Sequence, residues 1–195
     1  MSFFKKLFKV VTTTKDQEIK QQEVNLSLDD AFVHYFIKKG GKFLYCTKKN
    51  EIAESLKKII KENNWNTLSV IDQDLIKLAK KTNIALVEEF STTDPFFTTC
   101  EHLIADNGDI LFSSNQIKSK KLSELSDNFI VYAKTSQLVK DTGQGLTGIK
   151  TNCKENIPTN ISAVKKYAIN KNDDNFLNYG NSNSKNLYLL LFEDL

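Results

Sequence analysis

The sequence predicts an α/β fold, an open and mainly parallel sheet flanked by helices. Three observations carry that expectation. Short apolar runs alternate with amphipathic helical stretches from Lys42 to Val87. An unbroken apolar run, Leu187-Tyr188-Leu189-Leu190-Leu191-Phe192, has no polar face and so suits a strand buried on both sides of a sheet. The length, 195 residues, suffices for one domain with a sizeable core.

Residues Met1 to Val11 read as an amphipathic helix, with Phe3, Phe4, Leu7, Phe8 and Val11 on one face and Lys5, Lys6 and Lys9 on the other. Thr12 to Gln22 loses that period and reads as a polar tether, so residues 1–29 form an appendage and 30–195 the α/β domain. Such a helix could lie on an anionic membrane surface or pack on protein. A second helix starts near Ser27 to Asp30 and stops at Gly40-Gly41. Lys42 to Cys46 is a strand, Asn50 to Asn63 a helix with Ile52, Leu56, Ile59 and Ile60 on one side, and Thr67 to Ile71 a strand. Asp72 to Lys81 is a helix that Asp72 can cap, and Ile84 to Val87 a third strand. Strand and helix alternating at this spacing imply right-handed crossovers.

The second half is richer in strand. His102 to Ala105 and Ile110 to Ser113 flank Asp106-Asn107-Gly108-Asp109, a tight hairpin turn in which Asn-Gly tolerates positive φ. Asn128 to Ala133 is a strand. Ser136 to Ile149 reads as a helix in its first part, weakened later by Gly143, Gly145 and Gly148. Asn152 to Lys185 reads as an irregular polar loop, and Asn186 to Phe192 as the closing strand.

Composition narrows the function. Apolar residues make up 40% and charged residues 26%, a globular balance, and the net charge is +3. All of the positive side chains are lysines, because the sequence contains no arginine. Bidentate reading of guanine by a guanidinium is therefore absent, which argues against a specific nucleic-acid partner. No apolar run reaches the roughly 20 residues of a membrane span, and no cleavage site follows the first residues. Cys46, Cys100 and Cys153 lack paired spacing, and His34 and His102 stand apart from any metal motif. We expect neither a metal nor a cofactor, and unpaired thiols point to a reducing cytoplasm.

Several stretches together resemble the LUD (lactate-utilisation) domain family, in a short standalone form. They are Phe36 to Cys46, with its helix, Gly-Gly stop and strand; Cys100 to Leu111, with its apolar strand and acidic turn; and Lys185 to Phe192. The resemblance runs from about Ala31 to the end. It implies the fold shared by ribose-phosphate isomerases, glucosamine-phosphate deaminases and CoA transferases. It also implies a link to bacterial lactate oxidation, beside iron–sulfur and dehydrogenase-type protein partners. The family turn carries threonines where this chain has Asn107 and Asp109. The family segment Gly-Pro-Ser-Arg-Thr-Ala-Asp-Ile corresponds here to Ile157 to Val164, without its arginine and aspartate.

The expected ligand-binding residues are accordingly Asp106, Asn107, Gly108 and Asp109 on the turn, with Thr159 and Asn160 from that later segment. Thr142-Gly143-Gln144-Gly145-Leu146-Thr147-Gly148 lacks the Lys-Ser/Thr ending of a phosphate loop and reads as a frayed helix end. Neither Cys46, Cys100, Ser113 nor Ser114 has the neighbours of a nucleophile. These features lead to an accessory or small-ligand-binding protein of organic-acid utilisation, without catalysis of its own. The alternative readings are an enzyme acting on a small carboxylate or phosphorylated metabolite at the strand ends, and a membrane- or partner-docking protein using the first helix.

Overall fold

Strands that are apolar on both faces of the sheet give three layers in this computed structural model, which describes residues 26–152, 157–167 and 183–194. The elements run α1 (Leu28–Lys38), β1 (Lys42–Cys46), α2 (Lys49–Glu62), β2 (Thr67–Val70), α3 (Gln73–Ala79), β3 (Ala85–Val87) and β4 (Phe96–Thr99). Then come β5 (His102–Ile104), β6 (Asp109–Ser113), α4 (Ser114–Ile117), β7 (Asn128–Lys134), β8 (Leu138–Val139), α5 (Thr142–Asn152), β9 (Ile161–Val164) and β10 (Asn186–Phe192). The expected helix at Met1 to Val11, its tether and Cys153 lie outside the described residues.

The main sheet has six strands in the order β1-β10-β7-β4-β2-β3, every pair parallel. The apolar run ending the chain is central, as its composition requires. Leu187, Leu189 and Leu191 point to one face, Tyr188 and Leu190 to the other, and all five are buried. Helices α2 and α3 cover the second face through Ile52, Leu56, Ile59, Leu75 and Ile76. Helix α1 and a smaller sheet, order β8-β5-β6-β9, cover the first through Phe32, Phe36, Leu103, Ile110 and Phe112. The domain is thus an α/β fold with its sheet buried on both sides.

Local chemistry sets the ends of these elements. The Asp72 carboxylate accepts from the backbone N–H of Asp74 and Leu75, both at 2.9 Å, and so starts α3 as expected. Gly40, at φ 91, ends α1, and the N–H of Gly41 reaches back to the Phe36 carbonyl at 2.9 Å.

Four expectations need correction. Strand β4, near the middle of the main sheet, was not anticipated. The helix in Ser136 to Ile149 is placed the other way round: Thr135 to Gln137 is a 3-10 turn, Leu138–Val139 a strand, and the glycine-bearing Thr142–Asn152 the helix. Its glycines let it close on the hairpin. A Cβ at Gly145 would sit 2.9 Å from Leu111 Cδ1, and one at Gly148 would sit 2.8 Å from His102 Nε2. The polar stretch from Asn152 to Lys185 contains β9, which pairs antiparallel with β6. Finally, Ile104 pairs with Asp109, so the hairpin loop has four residues, and within it Gly108 alone has positive φ.

Candidate functional site

In an open parallel sheet, ligands gather where neighbouring strands send their chains to opposite faces, because no connection then covers the gap. Strands β2 and β4 are such neighbours. After β2 the chain passes to α3, whose Leu75, Ile76 and Ala79 pack on one face. After β4 it passes to the β5–β6 hairpin, whose Leu103, Ile110 and Phe112 pack on the other. A crevice of about 80 Å³ opens between their carboxyl ends.

Its walls are polar and apolar in about equal measure. Ile71 and Asp72 follow β2, Thr98 and Thr99 end β4, and Asn115, Gln116 and Lys118 come from α4 and the residue after it, above Phe96 and Phe97. The α4 wall is held by Glu101, the second residue past β4. Glu101 Oε1 accepts from Ser113 Oγ at 2.5 Å, Asn115 Nδ2 at 2.9 Å and Gln116 Nε2 at 3.1 Å. Gln116 Oε1 in turn accepts from the Ser113 N–H at 2.8 Å, closing a capping box at the start of α4. Each amide nitrogen has two hydrogens and gives one to Glu101, so a donor remains on each. Behind them, Gln137 Nε2 donates to the carbonyls of Cys100 (2.6 Å) and Glu101 (3.1 Å), tying the β4–β5 link to the turn after β7.

The residues expected from sequence fall in two places. Asp106 to Asp109 caps the closed end of the hairpin and docks on the last turn of α1. Asp109 is buried, and its carboxylate meets Lys39 Nζ at 2.5 Å. Asn107 Oδ1 accepts from the Asp109 N–H at 2.9 Å, and the Gly108 carbonyl accepts from the Tyr167 hydroxyl at 2.5 Å. Asp106 is exposed. Thr159 and Asn160 lie at the other end of the hairpin. The Thr159 N–H donates to Ser114 Oγ at 3.1 Å, and the Asn160 carbonyl accepts from the Ser114 N–H at 2.9 Å, beside the α4 wall of the crevice. The structure therefore brings Thr159 and Asn160 next to the crevice and sets the turn roughly 13 Å away along β6, at about 3.3 Å per residue.

Within residues 30–192 the sequence matches the model of the LUD domain. The chain belongs to the LUD-domain family. The fold is similar to that of a crystal structure titled as a DUF162 family protein from Deinococcus radiodurans, with a TM-score of 0.58 and 12% identity. The likeness covers 86% of this chain and 99% of that one. No curated protein matches the sequence.

In this LUD domain the described thiols, Cys46 and Cys100, are poorly suited to nucleophilic work. Burial pushes the Cys100 thiol far up, with the neighbouring Glu101 carboxylate adding to it, and burial also raises Cys46. Both therefore stay protonated at neutral pH, and the thiolate is the reactive form. His102 Nδ1 lies 3.2 Å from the Gln137 carbonyl, and exposed His34 makes an edge contact with Tyr35. Among the described residues no three His, Cys, Asp or Glu side chains group as a metal site would need, and no helix is long and apolar enough to cross a membrane. The glycine-rich stretch is committed to α5, with the Gln144 N–H on Asp141 Oδ1 at 2.8 Å.

Sequence reasoning does not single out Thr98, Thr99, Asn115, Gln116 or Lys118, and it reads Glu101 as an exposed strand or loop residue, whereas Glu101 is half-buried and holds the α4 wall. One signal was available. Ser113-Ser114-Asn115-Gln116 carries the Ser-x-x-Gln pattern of a capping box directly after a strand, which marks a strand-to-helix corner.

Proposed function

We propose that this LUD domain binds a small organic acid, without covalent chemistry, in the crevice between the carboxyl ends of β2 and β4, and serves lactate or related organic-acid utilisation as an accessory protein. The supporting observation is the lining. Lys118, Thr99 and two amides held by Glu101 line one small gap at the switch point, together with the Asp72 carboxylate. Its volume of about 80 Å³ holds roughly five to eight waters at ~10–15 Å³ each. That suits a molecule of a few heavy atoms and is small beside the ~300–1,000 Å³ of pockets for larger ligands. The two amides and the Thr99 hydroxyl can donate to carboxylate oxygens, whereas the Thr98 hydroxyl already donates to the Thr99 carbonyl at 3.2 Å; an ammonium supplies charge without the planar fork of a guanidinium. The family supplies the pathway, in which protein partners of lactate oxidation would receive or deliver the acid.

An amide-resolved NMR titration with L-lactate, succinate and inorganic phosphate tests this. Shifts concentrated at Thr98, Thr99, Asn115 and Gln116 are expected, with the Asp106 to Asp109 turn silent. Shifts confined to the turn, or none with any of the three, would overturn the crevice as the site. Turnover of an added acid would replace the accessory reading with an enzymatic one, in which Asp72, the carboxylate lining the crevice, is the first residue to vary.

A further inference from the structure

We propose that Lys118 is the anion-recognising residue of the crevice, and that the chain keeps it in a glycine-type backbone conformation to hold its ammonium there. This rests on the reading of the crevice as an organic-acid site. Helix α4 ends as the Lys118 N–H donates to the Ser114 carbonyl at 3.0 Å. The chain then reverses at once. The Lys120 N–H meets the Ile117 carbonyl at 3.0 Å, which closes a four-residue turn with Lys118 and Ser119 at its centre. Lys118 has φ 52 and ψ −130, the values of the first central residue in a type II′ turn. Glycine takes that position freely, whereas a side chain there is strained.

The other non-glycine residues at positive φ among those described are Asn64 and Asn83, of the type that tolerates it. Lys118 is the exception, and it is the one that lines the crevice. Its Nζ donates to the Asn115 carbonyl at 3.1 Å, which anchors the ammonium on the same wall as the Asn115 and Gln116 amides. Of the crevice's lining residues, Lys118 alone is cationic. The lining also holds one carboxylate, Asp72, whose Oδ1 accepts from two backbone N–H groups of α3. Turn geometry alone would select glycine at position 118. A lysine that keeps the turn and lines the gap makes sense when its charge has a ligand.

Two variants of the full chain separate the contributions. Lys118→Gly removes both the ammonium and the strain, whereas Lys118→Met removes the ammonium and keeps the strain. Read by the same NMR titration with L-lactate, both should weaken binding by about tenfold or more, the loss expected for a charged hydrogen-bond partner. Without ligand, the glycine variant should melt a few degrees above wild type, and the methionine variant should not. If wild type shows crevice shifts and both variants bind L-lactate as wild type does, Lys118 is not the anion's partner and this inference fails while the crevice reading stands. If wild type shows no crevice shifts with any of the three acids, the crevice reading itself fails. A glycine variant no more stable than wild type would overturn the claim that the conformation is kept at a cost.

Discussion

Replacing Gly108 with alanine adds one methyl group at the tightest contact between the hairpin and α1. Its Cβ would lie 2.5 Å from the Phe36 backbone nitrogen, 2.7 Å from the Tyr35 carbonyl carbon and 2.9 Å from Tyr35 Cβ. Two of these are backbone atoms of a helix, which cannot swing aside as a side-chain tip can. The hairpin must therefore withdraw, loosening the Tyr167–Gly108 hydrogen bond and the Lys39–Asp109 ion pair. Gly108 also sits at φ 72, where an L side chain costs roughly 1–2 kcal/mol. Overpacking adds about 1–3 kcal/mol. Together the loss is about 2–5 kcal/mol, equivalent to roughly 5–20 °C in melting temperature for a domain of this size. Urea denaturation followed by the fluorescence of Trp65, the single tryptophan, reads it directly, because Trp65 packs edge-on against buried Tyr188. Gly143→Ala is the control. Its Cβ would meet only the movable Asp141 carboxylate at 3.1 Å, and φ there is ordinary. A Gly108→Ala midpoint within about 0.5 kcal/mol of wild type, below the loss any core-packing mechanism gives, would refute the docking of the turn on α1.

Two further outcomes follow from the same corner. Asp109→Asn should cost about 1–3 kcal/mol by replacing the carboxylate beside Lys39 with a neutral amide, less than a fully buried pair because the lysine is partly exposed, whereas exposed Asp106→Asn should stay within about 0.5 kcal/mol. Chemical denaturation of the two side by side checks the contrast. Tyr167→Phe should cost about 1–3 kcal/mol at neutral pH by stripping a buried carbonyl of its donor. Burial, then the nearby Asp109 carboxylate, raises the Tyr167 hydroxyl well above its ordinary value of 10.0. The unfolded chain therefore loses this proton near pH 10 while the folded chain keeps it, so the tyrosine's contribution is complete below pH 10 and drains as pH rises above it. The gap between wild type and Tyr167→Phe should narrow from pH 8 to pH 11, and a constant gap would contradict the burial of the hydroxyl.

Much of the main sheet was legible because its strands obey simple patterns. The run from Leu187 to Phe192 has no polar face, which suits a strand buried on both sides, and the structure places it between β1 and β7. Helix α2 shows its buried residues at helical spacing, and α3 announces itself through Asp72. Strand β4 is harder to see. Phe96-Phe97-Thr98-Thr99 is four residues long and does not alternate, since its two phenylalanines serve opposite faces of the sheet. Helix α5 was misplaced because glycine is a poor helix former in isolation. Here the absence of a side chain at Gly145 and Gly148 is what allows the helix to approach Leu111 and His102, and packing outweighs propensity.

The same missing strand explains why the turn expected from sequence and the crevice proposed here lie apart. The rule that ligands sit at strand ends points to the residues after β4, but without β4 the nearest visible feature is the acidic turn between β5 and β6. The chain leaves β4 at the carboxyl edge, travels down β5 to the tip beside α1 and returns along β6. Two reversals therefore bring the end of β6, rather than its turn, back to the crevice. Glu101 records that path: it follows β4, yet binds Ser113, Asn115 and Gln116 from the far end of β6. Once a strand is assigned to Phe96–Thr99, parity alone fixes which end of the hairpin faces the switch point. Thr159 and Asn160, reached through the pairing of β9 with β6, then fall at that end and the Asp106 to Asp109 turn at the other.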